Sequence, residues 1–347
     1  MKSLAFIYVS FLCSLGLFGQ DDFDAKARGD KGIRVVFYNT ENFFDMRDDP
    51  NKRDDEFTPS GDKHWDQWKY REKTSNLAKV ITAVGGWEAP EIVAFCELEN
   101  ADVLQTLIFE KLLIDKKYKI VHYESPDRRG IDVGLIYRTD KINIVHSEPI
   151  AIHFPWSENN KTRDILYTTF TSNIADTIHF FVNHWPSRWG GQLESEPGRK
   201  FVASVLKSKV DSIQHALPNA KILIVGDFND TPVNESLTLV LEAKKDTTST
   251  NSTDLINLMY AYEGITGTHK YQGQWGVLDQ IIVSKSFFIS HHGWTIKDGK
   301  GRIFNAPFLL EPDEKYHGNT VSRTYQGMKY IGGYSDHLPI YIDLLKE

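Results

Sequence analysis

The residues of this sequence best suited to chemistry stand at the ends of short apolar runs. Lys221 to Val225 is a run of strand type, Gly226 closes it, and Asp227 and Asn229 follow two apart, so that extended backbone would send both side chains to one face. A carboxylate can accept a proton or hold a cation, and a carboxamide can donate hydrogen bonds to an anion. Together they suit the activation of water beside a phosphate. The pair equally fits an Asx turn capping an ordinary strand. Four further runs end in the same manner. Val35 to Tyr38 leads into Asn39, Ile92 to Cys96 into Glu97, and His179 to Asn183 into His184. Leu278 to Val283 carries Asp279 and is followed near the C-terminus by Ser335-Asp336-His337-Leu338-Pro339. Ligand groups of α/β proteins gather at strand ends and in the loops beyond them, so the set is more specific than any member.

The inventory excludes several mechanisms. There is no Gly-rich Walker loop, no His-Glu-x-x-His motif and no Gly-x-Ser-x-Gly elbow. Two cysteines are too few for a zinc cluster. Hard oxygen donors remain, with amides and two histidines, and a carboxylate such as Glu97 selects Mg²⁺ or Mn²⁺. Asp279 could fix the tautomer of His337 and favour its charged form, leaving that ring to touch a phosphate or move a proton. The plainer alternative is a strand cap beside a surface turn. Arg128 and Arg129 are adjacent in the loop from Asp127 to Gly130, and a guanidinium matches phosphate geometry, though a solvated loop accounts for them as well. Arg188, in the aromatic and basic stretch from His184 to Gly191, and Arg199 are further phosphate candidates.

The elements that must position these groups are a mixture of strands and helices. Of the 347 residues, 41% are hydrophobic and 25% charged, an ordinary globular balance with length for a sizeable core. Leu77, Val80, Ile81 and Val84 repeat at helical spacing before Gly85-Gly86, and Asn100 can cap a helix carrying Val103, Leu104, Leu107 and Ile108. Residues 164–171 and 177–183 read as a hairpin across Asn173 to Asp176, and Pro197 is expected to precede an amphipathic helix with Val202, Val205, Leu206, Val210 and Ile213 on one side. Met46 to Lys63 reads as a solvated loop, Lys245 to Thr253 as a polar loop, and Asp298 to Tyr330 as a long irregular region. Two sheets covered by helices in one domain are expected.

The address is read from the first residues. A short positive end, an apolar run from Leu4 to Phe18 and an abrupt turn to Gly19-Gln20-Asp21-Asp22 make residues 1–19 a secretory signal, with the catalytic domain over 31–347. The run is short for a membrane span, and Leu12 before Cys13 spoils a lipoprotein site, so export to the periplasm or beyond without an anchor is expected. Cys96 is then the lone cysteine, a buried strand residue facing away from Glu97. The formal charge of -7 becomes -8 when Lys2 leaves, so any phosphate substrate must be drawn by a local groove and bound cations.

Taken in order, Asn39, Ala94-Phe95-Cys96-Glu97, Asn183-His184, Gly226-Asp227-Phe228-Asn229, Leu278-Asp279-Gln280 and Ser335-Asp336-His337-Leu338-Pro339 resemble the marks of the endonuclease/exonuclease/phosphatase superfamily, from Ile33 to Leu344. The resemblance is to its deoxyribonuclease-like, secreted bacterial members, with Cys96 where the family has glutamine. It implies an α/β fold, a four-layer α/β sandwich with two facing mixed β-sheets flanked by helices, and an Mg²⁺- or Mn²⁺-dependent phosphoesterase site. It further implies Glu97 as principal metal ligand, with Asn39 as its hydrogen-bonded neighbour and Asp336 at a position often given to a metal. Asp227 would orient or deprotonate water, Asn229 steady the phosphate, and His337, oriented by Asp279, stabilise the transition state. His184 matches a histidine for which protonation of the leaving group is proposed. The expected protein is an exported phosphodiesterase, a nuclease on DNA or RNA, acting as a monomer with no stable protein partner and no transmembrane span in the mature chain. Arg128, Arg129 and Arg188 are its candidate substrate contacts. A sphingomyelinase-like or inositol-phosphate phosphoesterase is the alternative, because the fold hosts several substrates. A non-catalytic binding protein would be expected to have lost one of these residues.

Overall fold

Alternation along the opening strand decides which layer each side chain joins. In the computed structural model, which describes residues 23–157, 159–172, 176–245, 248, 251–289 and 293–346, Val35 and Phe37 point between two sheets while Val36 and Tyr38 point outward. The signal expected over residues 1–19, the centre of the turn at 173–175 and residues 246, 247, 249 and 250 of the polar stretch lie outside the described residues.

The strands are β1 (Gly32–Phe43), β2 (Ile92–Leu98), β3 (Tyr118–His122), β4 (Asp132–Arg138), β5 (Asn143–Ile150) and β6 (Ile165–Thr171). They continue as β7 (Ile178–His184), β8 (Lys221–Asp227), β9 (Ala243–Lys244), β10 (Leu255–Asn257), β11 (His269–Tyr271), β12 (Gln274–Gly276) and β13 (Asp279–Ser284). The last are β14 (Trp294–Ile303), β15 (Leu310–Pro312), β16 (Asn319–Val321), β17 (Tyr325–Gln326), β18 (Lys329–Tyr330) and β19 (Ile340–Lys346). One sheet has the order β14-β19-β1-β2-β4-β3 and the other β5-β6-β7-β8-β13-β10-β9. Both are mixed, since β1 runs parallel to β2 and β7 parallel to β8 among antiparallel neighbours.

Helices complete four layers. Between the sheets, Phe37, Ala94 and Cys96 meet Phe180, Val182, Leu223 and Val225. Over the outer face of the first sheet lie α1 (Gln67–Gly85), through Leu77, Val80, Ile81 and Val84, and α2 (Ala101–Ile108), through Val103, Leu104 and Leu107. Over the second lies α3 (Gln192–Ala216), through Val202, Leu206 and Val210. Each such side chain contributes about 1.5–3 kcal/mol when fully buried. Asn100 caps α2 by accepting from the Val103 N–H at 3.1 Å, and α1 stops at Gly86, whose φ of 71° suits glycine.

Three expectations change. Helix α3 begins at Gln192, so Pro197 lies inside it. The carbonyl that loses its partner there belongs to Leu193, which is 77% exposed and can be hydrated, so the cost of an interior proline is reduced. Within Asp298 to Tyr330, β14 runs on to Ile303 and the remainder folds into the small ladders β15-β16 and β17-β18. The stretch read as a solvated loop after Met46 is pinned by Phe57 and Trp65, which pack with Phe44 and Tyr325 in a separate apolar cluster.

Candidate active site

Sheet register, which no local pattern encodes, lines up three of the polar groups. His184 of β7 lies opposite Asp227 of β8, and Asp227 opposite Asp279 of β13. Gly226 permits this closeness, because a Cβ there would lie 2.4 Å from the Asn183 carbonyl oxygen. The facing sheet brings Asn39 of β1 beside Cys96 of β2. Both strands carry irregularities at that level, between Asn39 and Phe43 and between Cys96 and Leu98. Glu97 has φ 58°, and Glu41, Asn42 and Asn229 are likewise positive at 50°, 58° and 50°. Non-glycine residues in this region concentrate where a fold holds side chains in unusual directions.

Asp227 is the centre of the arrangement. Asn39 Nδ2 donates to its Oδ2 at 3.1 Å and the Asn229 N–H to its Oδ1 at 2.9 Å. His184 Nε2 and His337 Nε2 each stand 3.8 Å from Oδ2. The Asx turn at Asp227 and Asn229 is therefore real and forms part of the same cluster. Asn39 spends its other end on the Glu41 N–H at 2.9 Å, so its amide positions Asp227, and the partner that the resemblance gave it, Glu97, is bonded elsewhere. Glu97 Oε2 accepts from the Asn42 N–H at 3.1 Å, and its Oε1 is 3.8 Å from His184 Nε2.

Electrostatics separate the two histidines. Burial opposes charging His337, but Asp279, bonded to Nδ1 at 2.7 Å, and Asp227 outweigh it and hold the ring protonated well above the usual histidine range. His184 goes the other way, because burial and the positive charges of Arg163, Arg129 and His337 hold it neutral. Burial, with Asp279 and Glu97 adding to it against His337, pushes Asp227 up to about 7. The Cys96 thiol, packed between the sheets, lies within 4.8 Å of His184 and Asp227 ligand atoms, and burial pushes it up as well.

The remaining candidates divide. Asp336 accepts from Arg323 at 3.1 Å, and Arg323 also donates to Glu41 at 3.0 Å. With His269 and His337 it forms a group of potential ligands apart from Glu97. Arg129 reaches the site, donating to Asn42 Oδ1 and standing 3.7 Å from Glu97 Oε2. Arg128 points away and donates to the Asn159 carbonyl at 2.6 Å. Arg188 is turned inward, giving Nε to the Asn229 carbonyl at 2.7 Å and approaching buried Asp230, so it braces the Asn229 turn. Arg199 is fully buried 2.8 Å from Asp230 and is a structural ion pair. Sequence reasoning missed Arg163, which joins Asp127 at 3.1 Å to the Trp185 carbonyl at 2.6 Å, and His269, whose ring lies 4.8 Å from that of His337. Neither adjoins an apolar run that ends in a recognisable pair.

The residues fit a divalent cation. Burial, with the nearby Asp279 and Glu97 carboxylates adding to it, drives Asp227 upward against His337, and Asp279 Oδ1 is buried without a hydrogen-bond partner among the described residues. The donors are oxygens of the kind hard cations prefer. Fold and site together have the form of a layered α/β sandwich with hard oxygen donors and histidines gathered at one end of its facing sheets.

The chain belongs to the Endonuclease/Exonuclease/phosphatase family, whose model matches residues 34–346. Its members are hydrolases, generally metal-dependent. Among solved structures, D. rerio TDP2 complexed with single strand DNA product is similar at 14% identity and TM-score 0.54, over 90% of this chain and 98% of that one. The human Nocturnin catalytic domain with bound sulfate is similar at 16% identity and TM-score 0.53, over 91% and 95%. Mannosyl-6-phosphatase Bt3783 of Bacteroides thetaiotaomicron is similar at 16% and 0.54, over 90% and 99%. These likenesses establish the shared sandwich. No curated protein matches the chain. Among the described residues no helix is long and apolar enough to cross a membrane.

Proposed function

We propose that the protein is an exported, Mg²⁺- or Mn²⁺-dependent phosphodiesterase that hydrolyses nucleic acid by attack of an activated water. The observation that supports this reading is the meeting of Asp227 with Asn39, His184 and the His337 and Asp279 pair beside Glu97. Glu97 would hold the cation, with Asp336 at a second position. A bound divalent ion supplies Lewis-acid polarisation of the phosphoryl oxygen and offsets its developing charge. Asp227, raised to about 7, has a proton affinity suited to taking a proton from water near neutral pH. Asn229 gives one amide hydrogen to the Trp185 carbonyl at 3.1 Å and keeps the other for a phosphate oxygen. His337, charged and fixed by Asp279, donates Nε2–H toward the same oxygens. His184, neutral at rest, donates as well and is poorly placed to begin as an acid.

The apolar leader supports export, and one chain supplies every residue named, so a monomer suffices without a protein partner. The TDP2 structure that carries a single-strand DNA product favours nucleic acid as substrate. The mannosyl-6-phosphatase keeps a sugar phosphate as the second reading. A Mg²⁺-supplemented panel of plasmid, linear DNA, RNA, sphingomyelin, inositol phosphates and mannose 6-phosphate tests the proposal. Cleavage of DNA or RNA that stops with EDTA is expected. Turnover confined to the phosphomonoesters or to sphingomyelin would overturn the nucleic-acid assignment.

A further inference from the structure

Beside the catalytic edge lies a cleft of about 710 Å³ that the chemistry above does not use. Four loops and the first turns of α3 build it, and side chains or backbone tie each loop to the next. Arg53, between β1 and α1, donates its N–H to the Arg128 carbonyl at 2.8 Å. Arg128, between β3 and β4, donates to the Asn159 carbonyl of the β5 to β6 loop at 2.6 Å. Arg163, from that third loop, donates at 2.6 Å to the carbonyl of Trp185, which leads into the fourth. The cleft is thus a built feature of the fold.

Its lining inverts the charge of the molecule. The chain carries a formal -7, yet five cationic side chains and one carboxylate, Glu194, line this cleft. Arg53 and Lys161 make no ion pair among the described residues, so their charge is available to an anion. Two indoles share the wall: Trp156, 54% exposed, braced by Phe154 at 5.2 Å and Phe201 at 5.4 Å, and Trp189, 90% exposed. Arg129 also lines the cleft and stands 3.7 Å from the Glu97 carboxylate, so the cleft opens on the catalytic centre.

We infer that this cleft binds the unpaired nucleotides next to the scissile phosphate, with Trp156 and Trp189 as stacking platforms and Arg53, Arg128 and Lys161 as phosphate contacts. Alternating cations and aromatic faces suit a chain of alternating phosphates and bases, and every base offers a π-face whatever its identity. A duplex hides those faces in its own stack, so exposed indoles gain little from it. The inference rests on the phosphodiesterase reading above.

The test uses the full mature protein in EDTA and the fluorescence anisotropy of a 5′-labelled ten-residue oligothymidylate. Trp156→Ala and Trp189→Ala should each weaken binding about tenfold, in line with the stacking of one base, whereas the Phe variants retain it. Arg128→Gln with Lys161→Gln should lower the slope of log affinity against log salt by about 1.4, two contacts at roughly 0.7 each. In Mg²⁺, the loss of the Ala variants on the oligonucleotide should exceed their loss on bis(p-nitrophenyl) phosphate about tenfold. Ala variants that bind within twofold of wild type, or a wild type that prefers a hairpin duplex, would overturn the inference. So would Ala variants that lose affinity for phosphatidylserine vesicles and keep the oligonucleotide, which would make the indoles a membrane contact. Tryptophan-dependent binding by a wild type that hydrolyses neither the ester nor the oligonucleotide would sustain the cleft and sink the phosphodiesterase reading.

Discussion

The catalytic edge and the cleft beside it are built by opposite means. At the edge, β7, β8 and β13 deliver His184, Asp227 and Asp279 at one level, all three buried, where Asp279 adds to the burial that raises Asp227 and with Asp227 holds His337 charged. In the cleft, loops deliver exposed cations and indoles whose charge water screens. The contrast teaches where energy resides. A buried, preorganised group acts in a medium of low polarity and needs no reorganisation during reaction, so one edge residue should outweigh several in the cleft.

The largest effect expected is at Asp227. Asp227→Asn keeps the shape and one acceptor oxygen for the two donors, Asn39 and the Asn229 N–H, but removes the proton acceptor, and kcat should fall about 100-fold or more. Steady-state kinetics on linear DNA, with circular dichroism as a control for folding, measure it. A fall below tenfold would place the proton elsewhere and flatten the contrast between the two regions.

Asp279→Asn comes next, and its sign follows from His337. That ring is raised because Asp279 and Asp227 outweigh the burial penalty, so its charged form persists to higher pH than in the unfolded chain and is lost only as pH climbs through the raised value. Removing Asp279 lowers that value. The alkaline limb of the pH-rate profile should therefore move to lower pH, with a loss of about tenfold on the alkaline side. An unmoved limb would detach His337 from catalysis.

His184→Ala should cost DNA and an activated aryl phosphodiester alike, because a histidine held neutral by burial, Arg163, Arg129 and His337 donates to phosphate and does not begin as the acid. Sparing of the aryl ester, whose leaving group departs unaided, would restore the leaving-group role. The smallest effect belongs to the cleft: Arg128→Gln should weaken oligonucleotide binding about threefold at low salt and little at high salt. A loss that ignores salt would mean that its bond to the Asn159 carbonyl shapes the loop.

The same division explains what could be read from the sequence. Strand-end residues were legible because an apolar run followed by Asn39, Glu97, His184 or Asp227 states both the element and its exit. Register was not, so the alignment of His184, Asp227 and Asp279 and the pairing of Asn39 with Asp227 had to come from the fold. The direction of Glu97 depends on a positive φ that no residue type at that position announces. Arg188 and Arg199 looked free because the buried charge of Asp230, which draws both inward, lies in another segment. Pro197 misled for a local reason, since the rule that places proline at a helix start yields where the carbonyl it orphans belongs to an exposed residue, Leu193. The cleft was least legible, because Arg53, Arg128, Trp156 and Trp189 are separated in sequence and meet through loops.

The most direct test of the central claim is a metal titration of phosphodiester hydrolysis by wild type and Glu97→Gln. The wild type should be silent in EDTA and restored by Mg²⁺ or Mn²⁺, while the variant, which keeps the shape of Glu97 and loses its charge, should require about tenfold more metal or fail to saturate. Full turnover in excess EDTA, or identical titrations of the two proteins, would contradict a metal-assisted site built on Glu97.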